Sequence, residues 1–117
     1  MKKYNVRAIR TDRYEIEIDE TIWTPEVLET WSSFFNNCDD IEELVEHLSF
    51  MLIRFGYEGF LEGFGYVYTE NESGNQLSQF NYDNNGKMVK VSDFAKGIKV
   101  RIILMDDDYD YETDEIQ

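Results

Sequence analysis

Polar and apolar side chains alternate strictly from Arg13 to Asp19: Tyr14, Ile16 and Ile18 against Arg13, Glu15, Glu17 and Asp19. A period of two is that of a strand with one buried face. Residues 3–10 alternate more loosely through Tyr4, Val6 and Ala8, and Thr11-Asp12 between the two runs predicts a hairpin turn. The period then changes. Thr24-Pro25-Glu26 combines a hydroxyl N-cap, a proline at the first helical position and an acid in the first turn. Apolar residues follow at helical spacing at Val27, Leu28, Trp31, Phe34 and Phe35, and Asn36-Asn37 breaks the run. Asp39 or Asp40 caps a second helix, with Asp40 and Glu43 at capping-box spacing. Its stripe is Ile41, Leu44, Val45, Leu48, Met51, Leu52 and Phe55, and Gly56 stands where the helix should end.

Beyond Gly56 the pattern is shorter in range. Residues 57–65 fit a helical turn or a loop. Strands are expected at Tyr66–Thr69, Gln76–Tyr82, Met88–Val91 and Ile98–Met105, with a hairpin signal at Asn84-Asn85-Gly86. The whole reads as one α+β domain over residues 1–105: an N-terminal β-hairpin, two amphipathic helices, then three or four mainly antiparallel strands. Residues 106–117 are expected to form a disordered acidic tail.

Charge changes the picture. The 117 residues carry 25 acids and 11 bases, for a net charge of −14. The charges are laid in blocks. Residues 1–13 hold five bases against Asp12. Residues 14–86 hold sixteen acids and Arg54 as the one base. Residues 87–105 hold five bases against Asp93, and the tail holds seven acids and no base. Such segregation is costly through like-charge repulsion unless each block meets its opposite in the fold or in a partner. A net charge of this sign argues against direct binding of nucleic acid or an anionic membrane. Nothing resembling a signal peptide follows Met1-Lys2-Lys3, so a cytoplasmic protein is expected. A single cysteine, Cys38, excludes an internal disulfide, and a single histidine, His47, excludes multi-histidine metal sites. No cofactor or metal is expected.

Individual motifs add little. Gly63-Phe64-Gly65-Tyr66-Val67-Tyr68 has the outline of an RNA-stacking strand, but Glu62 stands where a base is needed. Asn81-x-Asp83-x-Asn85-Gly86 and Asp106-x-Asp108-x-Asp110 start like calcium loops but end at Ser92 and Gln117 instead of a bidentate glutamate. His47 lies off the apolar stripe beside Glu43 and Glu46, as an exposed histidine would. Cys38 is flanked by Asp39 and Asp40, which oppose a thiolate. No nucleophile–base pair is visible, and no enzyme is expected.

The positive signal is the acidic set. Glu15, Glu17 and Asp19 share one side of a strand at about 6.7 Å spacing. Asp39, Asp40, Glu42, Glu43 and Glu46 crowd the start of the second helix, whose i,i+3 and i,i+4 neighbours lie about 5–6 Å apart. DNA presents one phosphate per about 3.4 Å on each strand. These eight residues are therefore expected to form an anionic wall that docks on a basic protein surface.

The strand Tyr14-Glu15-Ile16-Glu17-Ile18-Asp19, the helix start Thr24-Pro25-Glu26-Val27-Leu28 with Trp31, the Phe80-Asn81-Tyr82-Asp83 turn region and the Gly97-Ile98 strand before an acidic end resemble the small acidic proteins of bacteriophages and mobile elements. That group includes anti-CRISPR and anti-restriction inhibitors, several of them DNA mimics. The resemblance implies a non-enzymatic inhibitor of a CRISPR effector or restriction nuclease. It transfers no site residue. An immunity or antitoxin protein neutralising a basic toxin, and a phage accessory or structural protein, remain alternatives.

Overall fold

The computed structural model describes residues 1–77, 79–105 and 110–116. In chain order the elements are β1 (Lys3–Ile9), β2 (Asp12–Ile18), α1 (Pro25–Phe34), α2 (Ile41–Phe55), β3 (Tyr68–Glu70), β4 (Phe80–Tyr82), β5 (Met88–Lys90), β6 (Ile98–Met105) and β7 (Asp110–Ile116). The class is α+β, with two strands, then two helices, then further mostly antiparallel strands.

Local chemistry starts and stops the helices as their sequence demands. The Thr24 hydroxyl accepts from the Val27 N–H at 3.3 Å, and Pro25 opens α1. At α2 the Asp40 carboxylate accepts from the Glu43 N–H at 2.9 Å, while the Glu43 carboxylate accepts from the Asp39 N–H at 2.7 Å. Two N–H groups with no partner inside the helix are thus satisfied reciprocally. Gly56 ends α2 with φ +80°, a conformation that only glycine adopts cheaply.

The body of the molecule is a three-stranded sheet, ordered β2-β6-β3, with the helix pair on one face. β6 runs antiparallel to β2 and parallel to β3. Tyr14, Ile16 and Ile18 pack against a core of Leu28, Trp31, Leu44, Leu48, Leu52, Leu61, Val67 and Val100, among others. Leu44, Leu48 and Val100 are wholly buried. Each such side chain contributes about 1.5–3 kcal/mol by leaving water. Gln79, also fully buried, donates through Nε2 to the Tyr57 carbonyl at 2.8 Å and the Val67 carbonyl at 2.7 Å. It ties the exit of α2 to the approach to β3.

The pairing of the outer strands differs from the expectation. β1 and β2 follow each other as foreseen, but they do not share a ladder: β2 pairs with β6 and β1 with β7. The tail is therefore not disordered over residues 110–116, which form β7 antiparallel to β1 from Lys3↔Ile116 to Ile9↔Asp110. Charge gives the reason. β1 comes from a basic block and β7 from an acidic one, and Arg7 lies 3.9 Å from Glu112 across the ladder. The expectation of disorder over 106–109 and at Gln117, and that of strand at Ser78, fall outside the described residues.

The β1–β7 ribbon is exposed on both faces, with only Ile9 half-covered. Its junction with the body is held by Arg10, which makes a two-pronged ion pair with Asp12 at 2.9 and 3.0 Å. β4 and β5 form a second exposed ribbon, closed by Asp83, whose carboxylate accepts from the N–H groups of Asn85 and Lys87 at 2.9 Å each. That carboxylate oxygen serves the turn that the sequence offered as a calcium loop. The ribbons stretch the chain to 57 × 39 × 30 Å with a radius of gyration of 18.0 Å, against about 13 Å for a compact domain of this length.

Candidate functional site: two carboxylate faces

The eight expected residues do not form one wall. In β2, the side chains of Tyr14, Ile16 and Ile18 turn to the core and the helices, so Glu15 and Glu17 project from the opposite face of the sheet. Asp39, Asp40, Glu42, Glu43 and Glu46 are exposed on the helix layer. The sheet separates the two sets.

On the open sheet face the carboxylates meet the chain's own bases. Register places Glu15 opposite Arg101 and Glu17 opposite Lys99, with Glu70 beside Arg101 on the other flank. The Arg101 guanidinium reaches Glu70 Oε1 through Nε at 3.0 Å and Nη2 at 2.8 Å, and Glu15 through Nη1 at 3.7 Å. Lys99 Nζ lies 3.3 Å from the same Glu70 oxygen. The Glu70 side chain is 4% exposed, so these partners replace its water. The Arg101 hydrogen bonds, aided by Lys99, hold the Glu70 carboxyl below its ordinary range, and outweigh the opposing effect of desolvation. Arg101 is in turn held more firmly in its charged form by Glu70. Asp19, beyond the strand, is also occupied: its carboxylate accepts from the Thr21 hydroxyl at 2.6 Å and the Thr21 N–H at 2.9 Å. Those bonds lower its pKa.

The helix layer is different. Asp40 and Glu43 hold the cap of α2, with one oxygen of each engaged there. Asp39, Glu42 and Glu46 are exposed and, among the described residues, lie in no ion pair. Arg54, the base on α2, sits in the last turn over the Phe55 ring at 5.7 Å. Beside this row a cleft of about 790 Å³ opens between α1 and the start of α2. Trp23, Leu28, Cys38 and Ile41 give it apolar walls, and Glu20, Glu29, Asp39 and Asp40 give it carboxylates. Such a lining suits the aliphatic stem and charged head of a lysine or arginine side chain.

One further expectation is corrected, and two motifs that the sequence already discounted find structural places. His47 is not an outlying surface group: it is half-buried, with its ring 5.9 Å from Trp31, 6.2 Å from Phe50 and 6.2 Å from Phe64. The aromatic flank of α2 is wider than the apolar stripe suggests, because Trp31 and Phe64 reach across to it. Cys38 is buried, its N–H donating to the Ser32 hydroxyl at 2.8 Å. The RNA-stacking outline dissolves: Gly63 and Gly65 take positive φ in a tight turn closed by Leu61, and Val67 is buried.

The Glu70–Arg101–Lys99 cluster had no local signal in the sequence, since Glu70 lies 31 residues from Arg101. Only the charge blocks hinted that β6 would seek acidic neighbours. Compared with known proteins, the chain matches no family model, no curated protein and no solved structure. Among the described residues no helix is long and apolar enough to cross a membrane.

Proposed function

We propose that the chain is a non-enzymatic inhibitor that acts in the cytoplasm of a bacterial host, where its helix-layer carboxylates occupy a basic nucleic-acid-binding surface of a defence nuclease, either a CRISPR effector or a restriction enzyme. One observation carries this reading. After the fold has paired β6 with the acids of β2 and β3, the exposed carboxylates of α2 and the neighbouring cleft have no basic partner among the described residues. Their spacing along α2 is comparable with that of phosphates. A basic channel would be drawn to them by the same long-range field that attracts nucleic acid. The proposed contact face is Asp39, Asp40, Glu42, Glu43 and Glu46. Glu15, Glu17 and Asp19 leave the contact set: Glu15 pairs with Arg101, Asp19 holds the β2–α1 connection through Thr21, and Glu17, in no ion pair among the described residues, stands across from Lys99 on the sheet face away from the helices.

The test is a cleavage and binding assay against purified CRISPR and restriction nucleases. Inhibition should weaken as salt rises. Glu42→Lys with Glu46→Lys should weaken binding about tenfold or more, while Glu15→Lys with Glu17→Lys should not. Glu43 is left intact in this design because it caps α2. Undiminished binding by the Glu42/Glu46 variant would sink the assignment of this face.

A further inference from the structure

The helix layer also carries an exposed aromatic patch. Phe34, Phe35 and Phe50 are 76%, 49% and 52% exposed. They are not scattered: ring contacts run from Phe34 to Phe35 at 6.5 Å, to Trp31 at 5.5 Å, to His47 at 5.9 Å and to Phe50 at 6.2 Å. Phe64 backs the row, 5.1 Å from Trp31. The indole of Trp31 is fixed by its N–H, which donates to the Gly63 carbonyl at 2.7 Å. The patch is thus a rigid apolar surface left facing water, which marks an interaction site more often than chance exposure does.

Its surroundings select the occupant. Glu43 and Glu46 stand one helical turn before His47 and Phe50 on the same flank of α2. Glu62, which is exposed, precedes Gly63, whose backbone lies against Phe35 and Trp31. The rim is mainly carboxylate, with Arg54, one turn beyond Phe50, lying over the Phe55 ring at 5.7 Å; such an apolar centre complements apolar side chains flanked by lysine and arginine. A second copy of the chain would instead bring two acidic rims together, each copy carrying −14. We infer that the Phe34–Phe35–Phe50 patch is the apolar centre of the partner interface and takes a basic amphipathic segment of a partner protein. This rests on the reading of the helix layer as a docking face and deepens it: the carboxylates steer, and the aromatic rings hold.

The test uses two synthetic probes, an amphipathic helix of leucine and lysine and an oligolysine of equal charge. Both are titrated calorimetrically against the whole protein. The wild type should bind the leucine–lysine helix about tenfold tighter than oligolysine. Phe34→Ser with Phe50→Ser should erase that preference while leaving oligolysine binding unchanged; both rings are exposed, and circular dichroism checks that the fold survives. A preference kept by this variant, or absent from the wild type, overturns the aromatic assignment. In either case the acidic face is judged separately by whether Glu42→Lys with Glu46→Lys loses oligolysine. If neither probe binds the wild type, both readings fall. A dimer seen by light scattering and dissolved by the phenylalanine changes would assign the patch to a second copy and overturn the inference.

Discussion

Glu15 and Glu17 on β2 and Glu42 and Glu46 on α2 come from one stretch of chain in which Arg54 is the only base, yet the fold uses them differently. The sheet acids lie across from Lys99 and Arg101 of β6. The helix acids face solvent and lie in no ion pair among the described residues. The contrast shows what the charge blocks do. A basic strand sits between two acid-bearing strands in the body, and the basic β1 sits beside the acidic β7 in the ribbon. Opposite blocks choose each other as ladder neighbours, where cross-strand pairs of unlike charge are favourable and like ones are not. The helix pair has no basic block assigned to it, so its negative charge stays uncompensated among the described residues.

The strongest way to break the contrast is Arg101→Met. It strips Glu70, nearly covered by protein, of its two short hydrogen bonds. A large fall in the urea midpoint is expected, partly restored by Glu70→Gln in the same background because a neutral amide costs less to bury. The same group sets an acid dependence. Its folded-state pKa is lowered, so its contribution is present above the ordinary carboxyl range and is lost as pH falls through the folded value. Stability should therefore drop on acidification below about pH 4, and the drop should be shallower in Glu70→Gln.

On the helix side the order comes from packing, and Gly63→Ala tests it. Gly63 has φ +88°, and an added Cβ would lie 3.0 Å from Phe35 Cγ and from the Trp31 ring. A loss of about 1–3 kcal/mol is expected, with a changed near-UV aromatic signal. A smaller effect separates capping acids from free ones. Asp40→Ala should cost about 1 kcal/mol in a thermal melt, because it removes the N-cap of α2.

Much of this was legible in the sequence. The strict alternation of β2, the Thr24-Pro25 start of α1 and the Asp40/Glu43 cap of α2 are local signals, and the structure follows them. What failed to show were relations across long distances in the chain. Nothing near Ile116 announces Lys3 as its partner, and an acidic segment with few apolar residues reads as disorder until a basic strand lies beside it. His47 was misplaced for a related reason: its own helix shows only its angle to the stripe, not the Trp31 and Phe64 rings arriving from other elements. The two acidic sets looked like one because adjacency in sequence hides which face of the sheet each side chain takes.

The most direct measurement compares two double charge reversals by urea denaturation: Glu15→Lys with Glu17→Lys, and Glu42→Lys with Glu46→Lys. The first should lower the unfolding midpoint, by setting lysines against Lys99 and Arg101. The second should stay within about 0.5 kcal/mol of the wild type or exceed it, because it removes solvent-facing charge that repels its own neighbours. Equal losses in both, or a loss confined to the helix variant, would contradict the division of the carboxylates into a structural set and a free one.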